Sequence, residues 1–424
     1  MKLSQFAITF RDQGDEYIYD TATGVVIKAP FEINRECIEQ SFRPEQLTGL
    51  RLRNIIFETD ADEAAWVRRL KRDASKTFEE TAFLTVELTT RCNFICQFCY
   101  QQSWKDRGTI SYETEESLIA VLSGTDWSGT KRLSVNYIGG EPLMAVDEFR
   151  KLNSRLWKFC QGANLEFECK LNTNGWGLDS VMVDNLRNCN IVIPLGARKD
   201  YHGTIRLRAR FGDNNPRSRI VENIGMLGKQ MHDRDDLSLT LRYNVSNSNW
   251  RDFDDWLEEV DSFRLPSFSI DIVNTSDPST GRYHNTMTDK QFANWYVNHV
   301  MPALYSRNIP FPIFPRNALS RCKARRKRTF KLFADGRVGL CNGIPWNRSA
   351  PLISTFRNVS EIDVYYQSIK MFDYLDDKSQ CARCGKLFLC GGPSPCRTLT
   401  CGREIVPTDA FIRQLVRLKT GTDK

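Results

Sequence analysis

The chain has 424 residues, enough for two or three domains and a sizeable core. Hydrophobic residues make up 41% and charged residues 26%, an ordinary balance for a soluble globular protein, and no apolar run approaches the ~18 residues of a membrane span. The formal charge of +7 is modest and partly local, because the run Cys322–Lys331, CKARRKRTFK, holds much of the excess.

Taken in chain order, the opening MKLSQFAITFRDQGDEYIYD has no apolar core followed by a small-residue cleavage site, so a cytoplasmic setting is expected. EYIYDTATGVVIKA, Glu16 to Ala29, reads as two β-runs around a Thr-Gly turn. The stretch from Asp60 to Ser75 reads as helical, and residues 1–75 are expected to form an accessory domain.

From Thr81 a strand–helix alternation begins. Strands are expected at 83–88, 133–138, 165–171, 191–195, 237–245 and 268–273, each followed by an amphipathic helix, with Asp147 as the cap of the second helix. Six such units imply an α/β fold with a parallel sheet, closing part of a barrel. The segment Cys92–Cys99, the run Gly139-Gly140-Glu141-Pro142 and the run Asn172-Thr173-Asn174-Gly175 each follow directly on a strand. In a parallel β/α architecture those strand ends gather at one mouth, where active sites are built.

Fourteen cysteines in a long chain without an export signal are expected to stay reduced, so metal ligation outranks a disulfide framework. Ten fall in two groups: Cys92, Cys96 and Cys99, then Cys322, Cys341, Cys381, Cys384, Cys390, Cys396 and Cys401. Cys37, Cys160, Cys169 and Cys189 are scattered, and Cys169 and Cys189 read as buried core. A structural zinc site takes four ligands, whereas the first group offers three, and His202, His232, His284 and His299 are all distant. An iron–sulfur cubane held by three thiolates fits better, because it leaves one iron open to a small molecule.

Cys92-x3-Cys96-x2-Cys99, with Phe98 before the third cysteine, resembles the signature of radical S-adenosylmethionine (radical SAM) enzymes. Gly139-Gly140-Glu141-Pro142 on the next strand end resembles that family's second motif, and the likeness covers about residues 81 to 300. It implies a partial (β/α)6 TIM-type barrel over 76–309 and a [4Fe-4S] cluster on the three cysteines. It also implies reductive cleavage of S-adenosylmethionine to methionine and a 5′-deoxyadenosyl radical that abstracts a substrate hydrogen. By the same likeness Gly139, Gly140, Glu141 and Pro142 meet the methionine end of the cofactor, Phe98 lies beside the adenine, and Asn174 belongs to the same site. Related enzymes often carry Ser-Leu-Asp-Gly, then His-Asp and an Arg, on the fourth strand. Here Pro194 and Gly196 stand in place of the Ser and Asp, which leaves His202 and Arg206; Arg206 reads either as the partner of the cofactor carboxylate or as an ordinary surface arginine.

The seven later cysteines resemble the SPASM extension of such enzymes, over 310–424. The pattern is Cys322, then Gly336-x4-Cys341, then Cys381-x2-Cys384-x5-Cys390, then Cys396 and Cys401; Cys381-x2-Cys384 alone also reads as half a zinc knuckle. The likeness implies two auxiliary [4Fe-4S] clusters, hence three in all. One is closed by Cys381, Cys384, Cys390 and Cys401, and Cys322, Cys341 and Cys396 serve the other, with Cys396 and Cys401 interchangeable. In the sulfatase-maturing branch an Asp follows the Gly-x4-Cys as a base; here Asn342 stands there, and an amide cannot take a proton in that role.

The family resemblance makes the chain an oxidoreductase, and most SPASM relatives modify peptides. The hairpin and helices of residues 1–75 resemble leader-peptide-binding domains, in which an extended peptide adds to a sheet edge; a domain that simply packs on the barrel is the alternative. The function expected is a peptide maturase that forms a carbon–carbon or carbon–sulfur cross-link in a ribosomally made precursor, with a flavodoxin or ferredoxin as electron donor. A radical dehydrogenase without leader recognition and a non-enzymatic iron–sulfur or zinc protein are the other readings. No membrane or nucleic-acid partner is expected: the basic run reads as a solvated hairpin face, without the aromatic interleaving of a nucleic-acid site.

Overall fold

Stretches far apart in sequence assemble two compact units, one from Met1–Phe78, Asp289–Cys322 and Met371–Lys424, the other from Glu79–Thr288 and Lys323–Lys370. The computed structural model describes the chain apart from residues 30–31, 35–37, 100, 102–107, 199, 201–204, 208–215, 275–285, 311–322, 342–345, 371–380, 382–383, 386–407 and 421–424.

In the first unit β1 (Lys2–Leu3) will pair with a later strand, and β2 (Ala7–Asp12), β3 (Asp15–Asp20) and β4 (Val26–Ala29) form an antiparallel meander in the order β2-β3-β4. The β2–β3 turn places Gln13 and Gly14 at φ of 49° and 89°, the left-handed pair that a two-residue hairpin needs. The Thr-Gly hairpin read from sequence is β3–β4; Asp-Gln-Gly-Asp was the overlooked signal for a third strand. β5 (Ile56–Phe57) pairs antiparallel with β1, between the helices Pro44–Leu52 and Asp60–Glu79.

Period-two alternation divides the side chains of the meander between two cores. Ala7, Ile18 and Ala29 pack with Ile38, Phe42, Leu50, Ile55 and Ile56. Tyr19 packs instead with Val297, Met301, Phe411, Ile412 and Leu415, which brings the C-terminal helix Thr408–Thr420 onto the sheet. Arg417 holds Asp12 through its Nε and Nη2 at 3.1 and 3.0 Å.

The second unit carries the expected strand–helix series. β6 (Thr81–Glu87) precedes the short β7 (Phe94–Cys96); β8 (Arg132–Ile138), β9 (Glu166–Asn172) and β10 (Cys189–Pro194) follow, then the short β11 (Ile205–Leu207), β12 (Leu237–Val245) and β13 (Phe268–Asn274). The sheet runs β13-β12-β10-β9-β8-β6, all parallel, so each strand lies beside its predecessor in the barrel series. This is the α/β partial barrel that the sequence implied. Tyr137 meets Phe149 of the helix Val146–Gly162 edge-on at 4.8 Å, and Tyr243 meets Trp256 of the helix Phe253–Ser262 at 4.8 Å. Their face of the sheet is therefore the helix-covered one, and Asn136, Lys170, Asn172 and Arg242 occupy the opposite, inner face.

Three details depart from the sequence reading. The second helix begins at Val146 with Ala145 at its N-cap, so Asp147 sits in the first turn, where its charge favours the helix dipole without capping it. β14 (Thr329–Leu332) adds in parallel to β6, and β15 (Val338–Gly339) folds back against β14, so part of the basic run joins the sheet. Lys331 is 0% exposed in place of lying on a solvated face. Gly336, at φ 82°, makes the β14–β15 turn.

Candidate functional site

The loop after β6 is built around hydroxyls. Thr89 Oγ1 and Thr90 Oγ1 donate to the Gly108 carbonyl at 3.1 and 3.3 Å, and the Arg91 amide donates to Thr89 Oγ1 at 3.2 Å. These bonds fix the entry to the cysteine segment. Cys92, Cys96 and Cys99 are thiols of intermediate exposure outside any disulfide; the Phe94 amide donates to Cys92 Sγ at 3.4 Å, and the Cys99 amide to the Cys96 carbonyl at 3.1 Å. Phe98 lies between the second and third cysteines, partly buried.

β7, inside this loop, pairs antiparallel with β11, with Ile205 opposite Cys96 and Arg206 opposite Ile95. The fold thus brings the backbone of Arg206 beside the three-cysteine segment, a juxtaposition of residues more than a hundred positions apart. His202 lies outside the described residues, as do Cys322, Cys390, Cys396, Cys401 and Asn342.

The Gly-Gly-Glu-Pro run docks on the same loop. The Gly140 amide donates to the Thr89 carbonyl at 2.7 Å and the Glu141 amide to the Arg91 carbonyl at 2.8 Å. A Cβ on Gly139 would stand 2.6 Å from Thr89 O, and one on Gly140 only 2.3 Å from Arg91 O. Both glycines are therefore required by the chain's own backbone, which passes too close for any side chain.

Glu141 is 2% exposed, and its carboxylate joins two strand ends. Oε1 accepts from the Leu143 amide at 3.0 Å and from Thr173 Oγ1 at 2.6 Å, and Oε2 accepts from the Asn174 amide at 2.7 Å. Burial pushes its pKa up, and the bonds from Asn174, Thr173 and Leu143 oppose that rise. Asn174 Nδ2 in turn donates to Asn93 Oδ1 at 2.7 Å, next to Cys92. A continuous path Thr173–Glu141–Asn174–Asn93 therefore links the ends of β6, β8 and β9. Asn93, 1% exposed, is a member that motif reading missed; a polar residue buried between Cys92 and Phe94 was its only signal. Pro142 opens the short turn Pro142–Ala145 that Glu141 caps.

Of the later cysteines, Cys341 follows β15 in the second unit, while Cys381 and Cys384 belong to the first. The Cys384 amide donates to the Cys381 carbonyl at 3.1 Å, and both cysteines pack on the cluster Phe6, Phe57, Trp66 and Val67. Thr21 Oγ1 donates to the Gly385 carbonyl at 2.8 Å, so the residue after Cys384 is tied to the N-terminal sheet.

Residues 86–264 match the family model of the Radical SAM superfamily. The chain carries a radical SAM domain. No curated protein matches this sequence. In fold, the chain is similar to native anSMEcpe with bound AdoMet and Kp18Cys peptide, at a TM-score of 0.63 and 18% identity over 81% of this chain and 99% of that one. It is also similar to Streptococcus suis SuiB bound to precursor peptide SuiA, at a TM-score of 0.54 and 14% identity over 93% of this chain and 95% of that one.

The donor set suits an iron–sulfur cluster. Three partly exposed thiols on one short loop, one of them receiving a main-chain N–H, are the ligand chemistry it uses. Among the described residues no helix is long and apolar enough to cross a membrane.

Proposed function

We propose that the chain is a radical SAM peptide maturase with a SPASM extension, an oxidoreductase that forms a carbon–carbon or carbon–sulfur cross-link in a ribosomally made precursor. The observation that carries the radical chemistry is the hydrogen-bonded path joining the cysteine loop to Glu141 and Asn174 at one mouth. Cys92, Cys96 and Cys99 would hold the cluster, and Phe98, Gly139–Pro142, Asn174 and Arg206 would form the S-adenosylmethionine site. When bound, the cluster supplies the electron that splits the cofactor and so provides the hydrogen-abstracting radical. The chain's own part is positional: the Thr89 and Thr90 hydroxyl bonds fix where the loop starts, the buried Glu141 carboxylate ties the ends of β8 and β9 together, and Asn174 ties them to Asn93 of the cysteine loop.

Cys381 and Cys384 would serve one auxiliary cluster and Cys341 the other, with Cys322, Cys390, Cys396 and Cys401 completing the two. The placement of Cys341 and of Cys381 with Cys384 in separate units supports that division. A flavodoxin or ferredoxin would donate the electron.

The peptide reading is supported by the peptides bound to the two neighbours and by the β2-β3-β4 sheet. β4 is an edge strand of that sheet. The Asp20 amide bonds the Val25 carbonyl, and in an antiparallel ladder hydrogen-bonded pairs alternate, so Val26 and Lys28 turn their N–H and C=O groups outward. An extended leader would pair there. Deleting residues 1–75 is a poor test, because they share a unit with Cys381 and Cys384. Lys28→Pro removes one outward N–H and spares the pairing with β3. The reduced, reconstituted protein should release 5′-deoxyadenosine from S-adenosylmethionine, and Lys28→Pro should keep that release while binding a neighbouring-gene precursor peptide at least tenfold more weakly. No release would sink the radical reading; unchanged peptide affinity would sink the edge-strand reading.

A further inference from the structure

Cys381 and Cys384 lie in a cradle made by the opening residues of the chain. Thr21, 0% exposed, donates its amide to the Phe6 carbonyl at 2.9 Å and its hydroxyl to the Gly385 carbonyl at 2.8 Å. Gly385 also runs against Gln5: a Cβ there would stand 2.5 Å from Gln5 O, so only glycine lets the segment come this close. Both holds are themselves fixed by buried carboxylates. Asp20 accepts through Oδ1 from the Ala22 amide, the Thr23 amide and the Thr23 hydroxyl at 3.1, 2.7 and 2.8 Å, which sets the turn that carries Thr21. Glu63 accepts through Oε1 from the Gln5 amide at 2.7 Å and from Ser4 Oγ at 2.9 Å, which sets Gln5.

What these bonds hold is a pair of thiols. The Cys384 amide closes the turn on the Cys381 carbonyl, and both cysteines lie outside any disulfide at intermediate exposure, packed on Phe6, Phe57, Trp66 and Val67. Trp66 meets Phe6 at 6.1 Å and Phe57 at 5.4 Å between ring centroids, so the apolar wall is one continuous aromatic layer. Two thiols on a short turn, shielded from water on one flank, fit iron–sulfur ligation, where solvent access and nearby hydrogen bonds set stability and potential. Valine has nearly the shape of threonine, so a buried hydroxyl at position 21 repays its desolvation only through the bond it makes to Gly385.

We propose that Thr21 is a positioning residue for the auxiliary iron–sulfur cluster that Cys381 and Cys384 serve, with Gln5 and the aromatic layer as the rest of that site's wall. The proposal rests on the reading of those two cysteines as cluster ligands. By holding the Gly385 carbonyl, Thr21 fixes the residue next to Cys384 and so where that ligand stands. The strand β3 that ends in this turn also carries β4, so the sheet that would offer an edge to a leader is the sheet that holds the cluster's ligands.

The test uses the full-length, anaerobically reconstituted protein with Cys92, Cys96 and Cys99 all replaced by alanine, so that auxiliary iron alone is read. Metal content, the electron paramagnetic resonance spectrum of the reduced protein, its midpoint potential and the rate of iron release to bathophenanthroline are measured. Cys381→Ser with Cys384→Ser should lower the iron content. Thr21→Val should shift one auxiliary signal and its potential and release iron about fivefold faster, the factor that one lost hydrogen bond gives. Thr21→Ser, which keeps the hydroxyl, should restore the unsubstituted spectrum, potential and rate. Gly385→Ala, whose Cβ must push the segment off Gln5 O, should move the same signal and serves in place of Thr21→Val if that variant does not fold. Asp12→Asn loosens the sheet at the opposite end of the β2–β3 ladder from Asp20 and should change none of these readings. Unchanged iron in the double cysteine variant, or zinc in place of iron, would overturn the ligand reading and the proposal with it. Lowered iron there, with an unshifted signal in Thr21→Val or Gly385→Ala, no rescue by Thr21→Ser, or an equal shift in Asp12→Asn, would keep the ligands and overturn the role of Thr21.

Discussion

Replacing Gly140 by alanine tests the docking of the second motif on the cysteine loop. The new Cβ would stand 2.3 Å from Arg91 O and 2.7 Å from both Arg91 C and Thr90 O, all of them backbone atoms. No rotamer relieves such a contact, so one segment must withdraw by about 1 Å, given the ~3.5 Å at which non-bonded atoms normally meet. Withdrawal breaks the bonds from the Gly140 amide to Thr89 O and from the Glu141 amide to Arg91 O, now 2.7 and 2.8 Å. At about 1 kcal/mol each these lose about 2 kcal/mol, and overpacking adds about 1–3, for about 3–5 kcal/mol in all. That is a large part of a domain's net stability, and the strain falls on the loop that carries Cys92. Gly225→Ala is the control: it lies in the helix Pro216–Met231 with open space around its Cβ, so the change should be neutral or stabilising by about 0.5–1 kcal/mol. Thermal unfolding and anaerobic iron and sulfide quantitation should show Gly140→Ala melting several degrees lower and retaining less iron than wild type or control. Wild-type melting and a full iron complement in Gly140→Ala would refute the argument that the two segments are locked together.

Two further outcomes follow from buried charges. Lys331 and Glu87, 0% and 1% exposed at the side chain and 3.8 Å apart, form a buried pair just before the cysteine loop. Lys331→Met removes the buried cation beside Glu87, whose Oε1 keeps the Ala334 amide at 3.4 Å, and should cost about 3–5 kcal/mol in urea unfolding, most of it recovered by adding Glu87→Leu; an unchanged midpoint in the single variant would contradict the pairing. Arg417 holds the Asp12 carboxyl below its usual range, so this bond stabilises the C-terminal helix above that range and the stabilisation is lost as pH falls through the lowered value. Hydrogen exchange in residues 408–420 should accelerate below about pH 4 in wild type, and in Asp12→Asn it should already be fast at neutral pH. Equal exchange in the two proteins at neutral pH would count against the bond.

The sequence by itself determined the order of the barrel strands and the position of the three-cysteine loop on a strand end, because hydrophobic periodicity and local spacing are properties of neighbouring residues. It also exposed the Gly-Gly-Glu-Pro run, but misjudged what the glycines are for: nothing near Gly140 in sequence reveals that Arg91 O lies in its way. Only the tertiary structure could place β14 beside β6 and bury Lys331, since pairing between residues some 250 positions apart leaves no periodic trace. The same holds for Asn93, Glu141 and Asn174, whose hydrogen bonds are made between strands that meet only after the sheet has closed. The chain sets which groups exist and in what local order; the distances at which carbonyls, carboxylates and ammoniums act on one another belong to the fold, because those forces fall off within a few ångströms and the backbone alone decides who is that close.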